Sequence, residues 1–134
     1  MARVETVTIR TADLGDVDGM WDPDTRIIWL HQDLTPAERR CTLAHEIIHA
    51  ARGDEHCRDH VLNARQERLV DEIASRLLIP LDLLADALVW CHDDAQLCDA
   101  LDVDLDTLDA RRRFLTLEER HYLSARISTI EHVA

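Results

Sequence analysis

The strongest constraint on how this chain can fold is a helix delimited at both ends by its own residues. Thr35-Pro36-Ala37-Glu38 is a capping box: a hydroxyl N-cap, proline at the first helical position, and a glutamate that reaches back to the cap N–H. Gly53 supplies the left-handed stop after about Arg52. Leu43, Ala44, Ile47 and Ile48 make the segment partly buried. Embedded among them is His45-Glu46-Ile47-Ile48-His49, the pattern H-E-x-x-H.

On a helix this spacing has a chemical consequence. Positions i and i+4 share a face, so both imidazoles can reach one Zn2+. Glu46, one position on, is rotated by about 100° and reaches past the metal position, where a carboxylate serves as general base. A catalytic zinc site wants a third protein ligand, and the next helix, expected from about His60 to Ile79 and stopped before Pro80, offers Glu67 and Glu72. Helical phase separates them. Glu72 shares a stripe with Arg65, Arg68 and Arg76, which reads as a solvated face with i,i+4 ion pairs. Glu67 lines up with Asp71, Ala74 and Leu78, which turn inward, so Glu67 is the expected ligand. Asp71, one turn later on that face, is placed to accept the distal N–H of a ligating histidine.

The remainder divides near residue 35. Before it the pattern is strand-like: Arg3–Arg10 is rich in β-branched residues, and Asp22-Pro23-Asp24 is a turn between Gly19-Met20-Trp21 and Thr25–Leu30, a hairpin. After it, helices are expected over Leu81–Trp90, Asp94–Leu101 and Leu105–Leu115, with a second capping box at Thr116-Leu117-Glu118-Glu119 opening a last helix to about Glu131. The class is α+β: a small N-terminal antiparallel β-sheet followed by a helical bundle carrying the H-E-x-x-H helix.

Charge narrows the partners. The 134 residues carry 27 acids against 15 bases, a net −12, which disfavours nucleic acid and anionic membranes. No stretch approaches a membrane span, and MARVETVTIR lacks a signal-peptide apolar core, so a cytoplasmic protein with reduced thiols is expected.

The series Leu43-Ala44-His45-Glu46-Ile47-Ile48-His49, Glu67-x-x-x-Asp71, then Ala74 and Leu77-Leu78-Ile79-Pro80 resembles the ImmA/IrrE family of gluzincin-like metallopeptidases, over roughly residues 25–90. The resemblance implies a zincin-like domain over 1–134, with the sheet in 1–34, the metal-binding helical core in 35–92 and C-terminal helices in 93–134. It implies that His45, His49 and Glu67 bind Zn2+, that Glu46 is the catalytic base and that Asp71 supports a ligand. The implied activity is that of a zinc endopeptidase in a bacterial host cell, with a protein substrate such as the helix-turn-helix repressor of a phage or mobile element.

Two other readings come from different classes. One is a catalytically silent zinc-binding interaction protein of phage immunity, against which the retained Glu46 argues. The other is a DNA-binding regulator acting through residues 94–115, where Arg111-Arg112-Arg113 would suit phosphates but Asp99, Asp102, Asp104, Asp106 and Asp109 would repel them. Arg26–Leu30 is a candidate strand for pairing with an extended substrate. His56, Cys57 and His60 read as a polar loop beside the site. Histidine 56 or 60, His121 and Tyr122 are candidates for steadying an oxyanion, and Cys41 reads as a small buried residue.

Overall fold

A computed structural model of the chain describes residues 6–55 and 59–133, with side chains as far as residue 128. Expectations for Arg3–Glu5, His56 and Cys57 lie outside the described residues. Strands β1 (Thr8–Ala12), β2 (Gly19–Asp22) and β3 (Ile27–His31) precede helices α1 (Pro36–Arg52), α2 (His60–Leu78), α3 (Leu81–Trp90), α4 (Asp94–Leu101), α5 (Leu105–Arg113) and α6 (Leu117–Val133). The α+β expectation is met. Among the described residues no helix is long and apolar enough to cross a membrane.

The chain divides into two compact units, Met1–Asp71 and Glu72–Ala134. In the first, the hairpin forms as expected: β2 pairs antiparallel with β3, Gly19 opposite Leu30 and Asp22 opposite Ile27. The Asp22 carboxylate closes the turn by accepting from the Asp24 N–H at 3.0 Å. The expectation of a purely antiparallel sheet is corrected. The strand order is β1-β3-β2, and β1 runs parallel to β3, making the sheet mixed. The reason lies in β3, whose Ile28 and Leu30 are both 0% exposed. The most apolar strand takes the centre, and β1 fills its free edge instead of preceding the hairpin in line. Arg26–Leu30 is therefore no free edge, which removes it as a strand for pairing with substrate; β1 and β2 are the edges.

Helix α1 packs on β2 and β3. Its N-terminus carries the expected capping box, with Glu38 N–H donating to Thr35 Oγ1 at 3.2 Å and Thr35 N–H to Glu38 Oε1 at 3.0 Å. Gly53 ends it in the left-handed region at φ 70°. The face turned to the sheet buries Cys41 and Ile48, and with them Glu46 and His49. Gly19 sits where β2 crosses this helix: a Cβ there would lie 2.6 Å from Thr42 Cγ2 and 3.4 Å from Glu46 Cγ.

The second unit comprises the end of α2 and helices α3 to α6, with α3 packed on α4 and α6, and α4 on α5. Its core includes Ile79, Leu84, Leu97, Val103, Leu108 and Leu123. The second capping box holds, and its Glu119 also accepts from Arg76 at 3.0 Å and from Arg111 at 3.0 Å. Arg111, 2% exposed, donates through Nε to the Ile79 carbonyl at 2.8 Å. Arg112 pairs with Asp94 at 2.8 Å. The triplet read from sequence as a possible phosphate row thus has one member inside the core and another in an ion pair. Arg76 likewise leaves the expected solvated stripe: Glu72 lies 3.9 Å away, but the closer partners are Glu119 and the Phe114 carbonyl. Tyr122 donates to Asp82 and accepts from Arg126.

Candidate metal centre

Helical spacing on α1 stacks the His45 and His49 rings edge to face, with centroids 4.9 Å apart. Their Nε2 atoms lie 3.2 Å from each other. From α2, Glu67 reaches both: Oε2 is 2.9 Å from His45 Nε2 and Oε1 is 3.0 Å from His49 Nε2. Of the two glutamates that helical phase distinguishes on α2, Glu67 is the one that meets the histidines, and Glu72 faces Arg76 instead.

The three side chains present one ligand atom each, all within 4.8 Å of one another. Two imidazole nitrogens and a carboxylate oxygen are a donor set zinc accepts, and a tetrahedral site with bonds of about 2.0–2.1 Å has edges of about 3.3–3.4 Å. The Nε2–Nε2 separation of 3.2 Å is close to that edge, and each imidazole has a Glu67 oxygen within 3.0 Å, so the donor set fits a zinc ion.

Each imidazole is also held at its other nitrogen. His45 Nδ1 lies 3.1 Å from Asp71 Oδ1, the contact expected for Asp71. His49 Nδ1 lies 3.0 Å from Asp54 Oδ2, a contact that sequence reasoning missed. The overlooked signal is the aspartate directly after the Gly53 stop, where the chain turns back onto the last helical turn.

Glu46, also buried, completes an acidic surround: Glu46, Glu67, Asp54 and Asp71 against two imidazoles. Such an excess of carboxylate favours a cation at the centre. Burial opposes charge on His45, but hydrogen bonds to Asp71 and Glu67 and the charge of Glu46 outweigh it and push the imidazole up to about 10. His49 is also raised, with burial outweighed by Glu67 and Asp54. Glu67 is held well below the usual carboxylate range by its bonds to His45 and His49. Burial pushes Glu46 up.

A cleft of ≈ 170 Å³ opens at this centre, lined by Gly19, Met20 and Trp21 of β2, by Glu46 and His49, and by Asn63, Gln66 and Glu67 of α2. The edge strand beside the site is therefore β2.

A family model described as the IrrE N-terminal-like domain, Peptidase M78, matches residues 4–111. The chain belongs to the Peptidase M78 family. The M78 match spans both H-E-x-x-H and Glu67. Similar curated proteins are the "Radiation response metalloprotease IrrE" of Deinococcus deserti, 31% identical over 66% of this chain and 34% of that protein, and its namesake from Deinococcus radiodurans, 32% identical over 66% of this chain and 30% of that protein. The chain spans about a third of the length of these curated M78 relatives.

Proposed function

We propose that this chain is a zinc-dependent endopeptidase. The carrying observation is the convergence of His45 Nε2, His49 Nε2 and a Glu67 oxygen within 4.8 Å, with Glu46 buried beside them on the same helix. Membership of the Peptidase M78 family and relatives named as metalloproteases support it.

His45, His49 and Glu67 would hold the zinc, and Asp71 would keep His45 turned to it. Zinc supplies a Lewis acid that polarises a carbonyl and makes water a better nucleophile at neutral pH. Glu46 takes a proton from the attacking water and passes it to the amine leaving from the cleaved peptide. The open cleft admits an extended segment of a protein substrate, whose main chain can pair along the free side of β2. We assign the substrate to the helix-turn-helix repressors of phages or mobile elements, on the family resemblance alone, and the site of action to the bacterial cytoplasm.

The test pairs wild type with Glu46→Gln, each loaded with zinc and mixed with a helix-turn-helix repressor of a phage or mobile element. Wild type should cleave; Glu46→Gln should bind zinc equally and lose at least about 100-fold in rate. Equal zinc in both and cleavage by neither would favour a zinc-binding interaction protein.

A further inference from the structure

We propose that Asp54 is a positioning residue for the metal centre, holding His49 with Nδ1 protonated and Nε2 turned to the ion, and that Arg52 holds Asp54 in place. The inference rests on the ligand roles proposed above.

The device grows from the end of α1. With Gly53 at φ 70°, its N–H donates to the Ala50 carbonyl at 3.1 Å, and the next N–H, that of Asp54, donates to the His49 carbonyl at 3.0 Å. This pair of hydrogen bonds is the Schellman motif, and it brings the residue after the glycine back over the last turn. Asp54 therefore meets His49 twice: its backbone at the carbonyl, and its Oδ2 at the ring Nδ1, 3.0 Å away. Arg52 Nε donates to the same Oδ2 at 3.0 Å.

Burial makes these contacts matter. The Asp54 side chain is 11% exposed and that of His49 is 7% exposed. A carboxylate so enclosed needs donors, and among the described residues the imidazole Nδ1–H and the Arg52 guanidinium serve it. A neutral imidazole whose Nδ1–H is engaged offers Nε2 as its lone-pair nitrogen to an ion, and Nε2 is the atom on the Glu67 side of the ring. The two histidines are braced from different elements: His45 by Asp71 of α2, His49 by the cap of its own helix. Ring orientation at His49 is thereby tied to the backbone turn that ends α1.

The experiment compares wild type, Asp54→Ala, Asp54→Asn and Arg52→Ala. Zinc affinity is measured by competition with a chromophoric chelator. Nitrogen-correlated proton spectra of the metal-free proteins report the His49 Nδ1–H. Asp54→Ala should weaken zinc binding about 10–100-fold and lose the Nδ1–H signal to solvent exchange. Asp54→Asn, whose amide oxygen accepts the same bond, should recover most of that loss. Arg52→Ala should fall between wild type and Asp54→Ala. Wild-type zinc affinity in Asp54→Ala, with the Nδ1–H signal intact, would overturn the proposal. Wild type that takes up no zinc would overturn the ligand reading itself. The Nδ1–H signal, which needs no metal, tells that failure from a failure of the Asp54 contact.

Discussion

Glu67 Oε2 and His45 Nε2 lie 2.9 Å apart although 22 residues separate them in the chain. One carboxylate on α2 thereby ties together both histidines of α1, and the first prediction follows from it. Glu67→Ala should lose zinc, with affinity down at least about 100-fold, because it removes one of the three proposed ligands. Glu72→Ala should keep about one zinc per chain, since Glu72 pairs with Arg76. Elemental analysis of proteins purified without chelator decides. Retention by Glu67→Ala with loss by Glu72→Ala would reverse the assignment.

Gly19 leaves no room for a side chain beside Glu46, the proposed base. A methyl group there would meet Thr42 Cγ2 at 2.6 Å and the Trp29 carbonyl at 3.1 Å. Gly19→Ala should therefore cost about 1–3 kcal/mol by overpacking and disturb Glu46, whose Cγ is 3.4 Å from the added carbon. Urea unfolding measures the first effect, and the cleavage rate at saturating zinc measures the second. An unchanged unfolding midpoint would show that β2 and α1 separate without cost.

Gly53 tests a different mechanism. A methyl group added there would meet nothing within 4 Å, yet the residue's φ is 70°. Gly53→Ala should thus lose about 1–2 kcal/mol through backbone strain alone. Gly53→Asn should lose less, because asparagine tolerates the left-handed region. Equal midpoints for all three proteins would mean the cap is not under this constraint.

Glu119 sets an acid limb. Burial works against its ionisation, but hydrogen bonds from Arg76, the Thr116 N–H and Arg111 outweigh burial and hold the carboxyl at about 2, below its ordinary 4.5. A depressed folded value stabilises above the unfolded one. The contribution is therefore present above about pH 4.5 and disappears as pH falls through about 2. Glu119→Gln should cost about 2 kcal/mol near neutrality, part of it from leaving the buried Arg111 without its carboxylate, and the gap to wild type should close on acidification. Urea midpoints of both proteins across that range check the sign; a gap that stays constant or widens toward acid refutes it.

Much of the centre was legible in the sequence because its parts are local. Thr35, Glu38 and Gly53 terminate α1 through bonds to neighbours in sequence, and the i,i+4 spacing of His45 and His49 needs only the helix between them. The choice of Glu67 over Glu72 also followed from helical phase, since one face of α2 carries a row of arginines.

Other features depend on which distant segments meet. Alternation alone could not tell that β3 lies between β1 and β2, because strand order is settled by competition for the core, won by Ile28 and Leu30. Nor could it show that Arg111 is a core residue: an arginine triplet reads as a surface until a carbonyl and a glutamate are found to hold one member inside. The sequence by itself determined the helix ends, the i,i+4 spacing of His45 and His49 and the separation of Glu67 from the arginine row of α2, because these rest on contacts and phase within a few residues. Only the tertiary structure decided the strand order, the need for glycine at position 19 and the burial of Arg111, because each depends on atoms that the chain brings together from far apart.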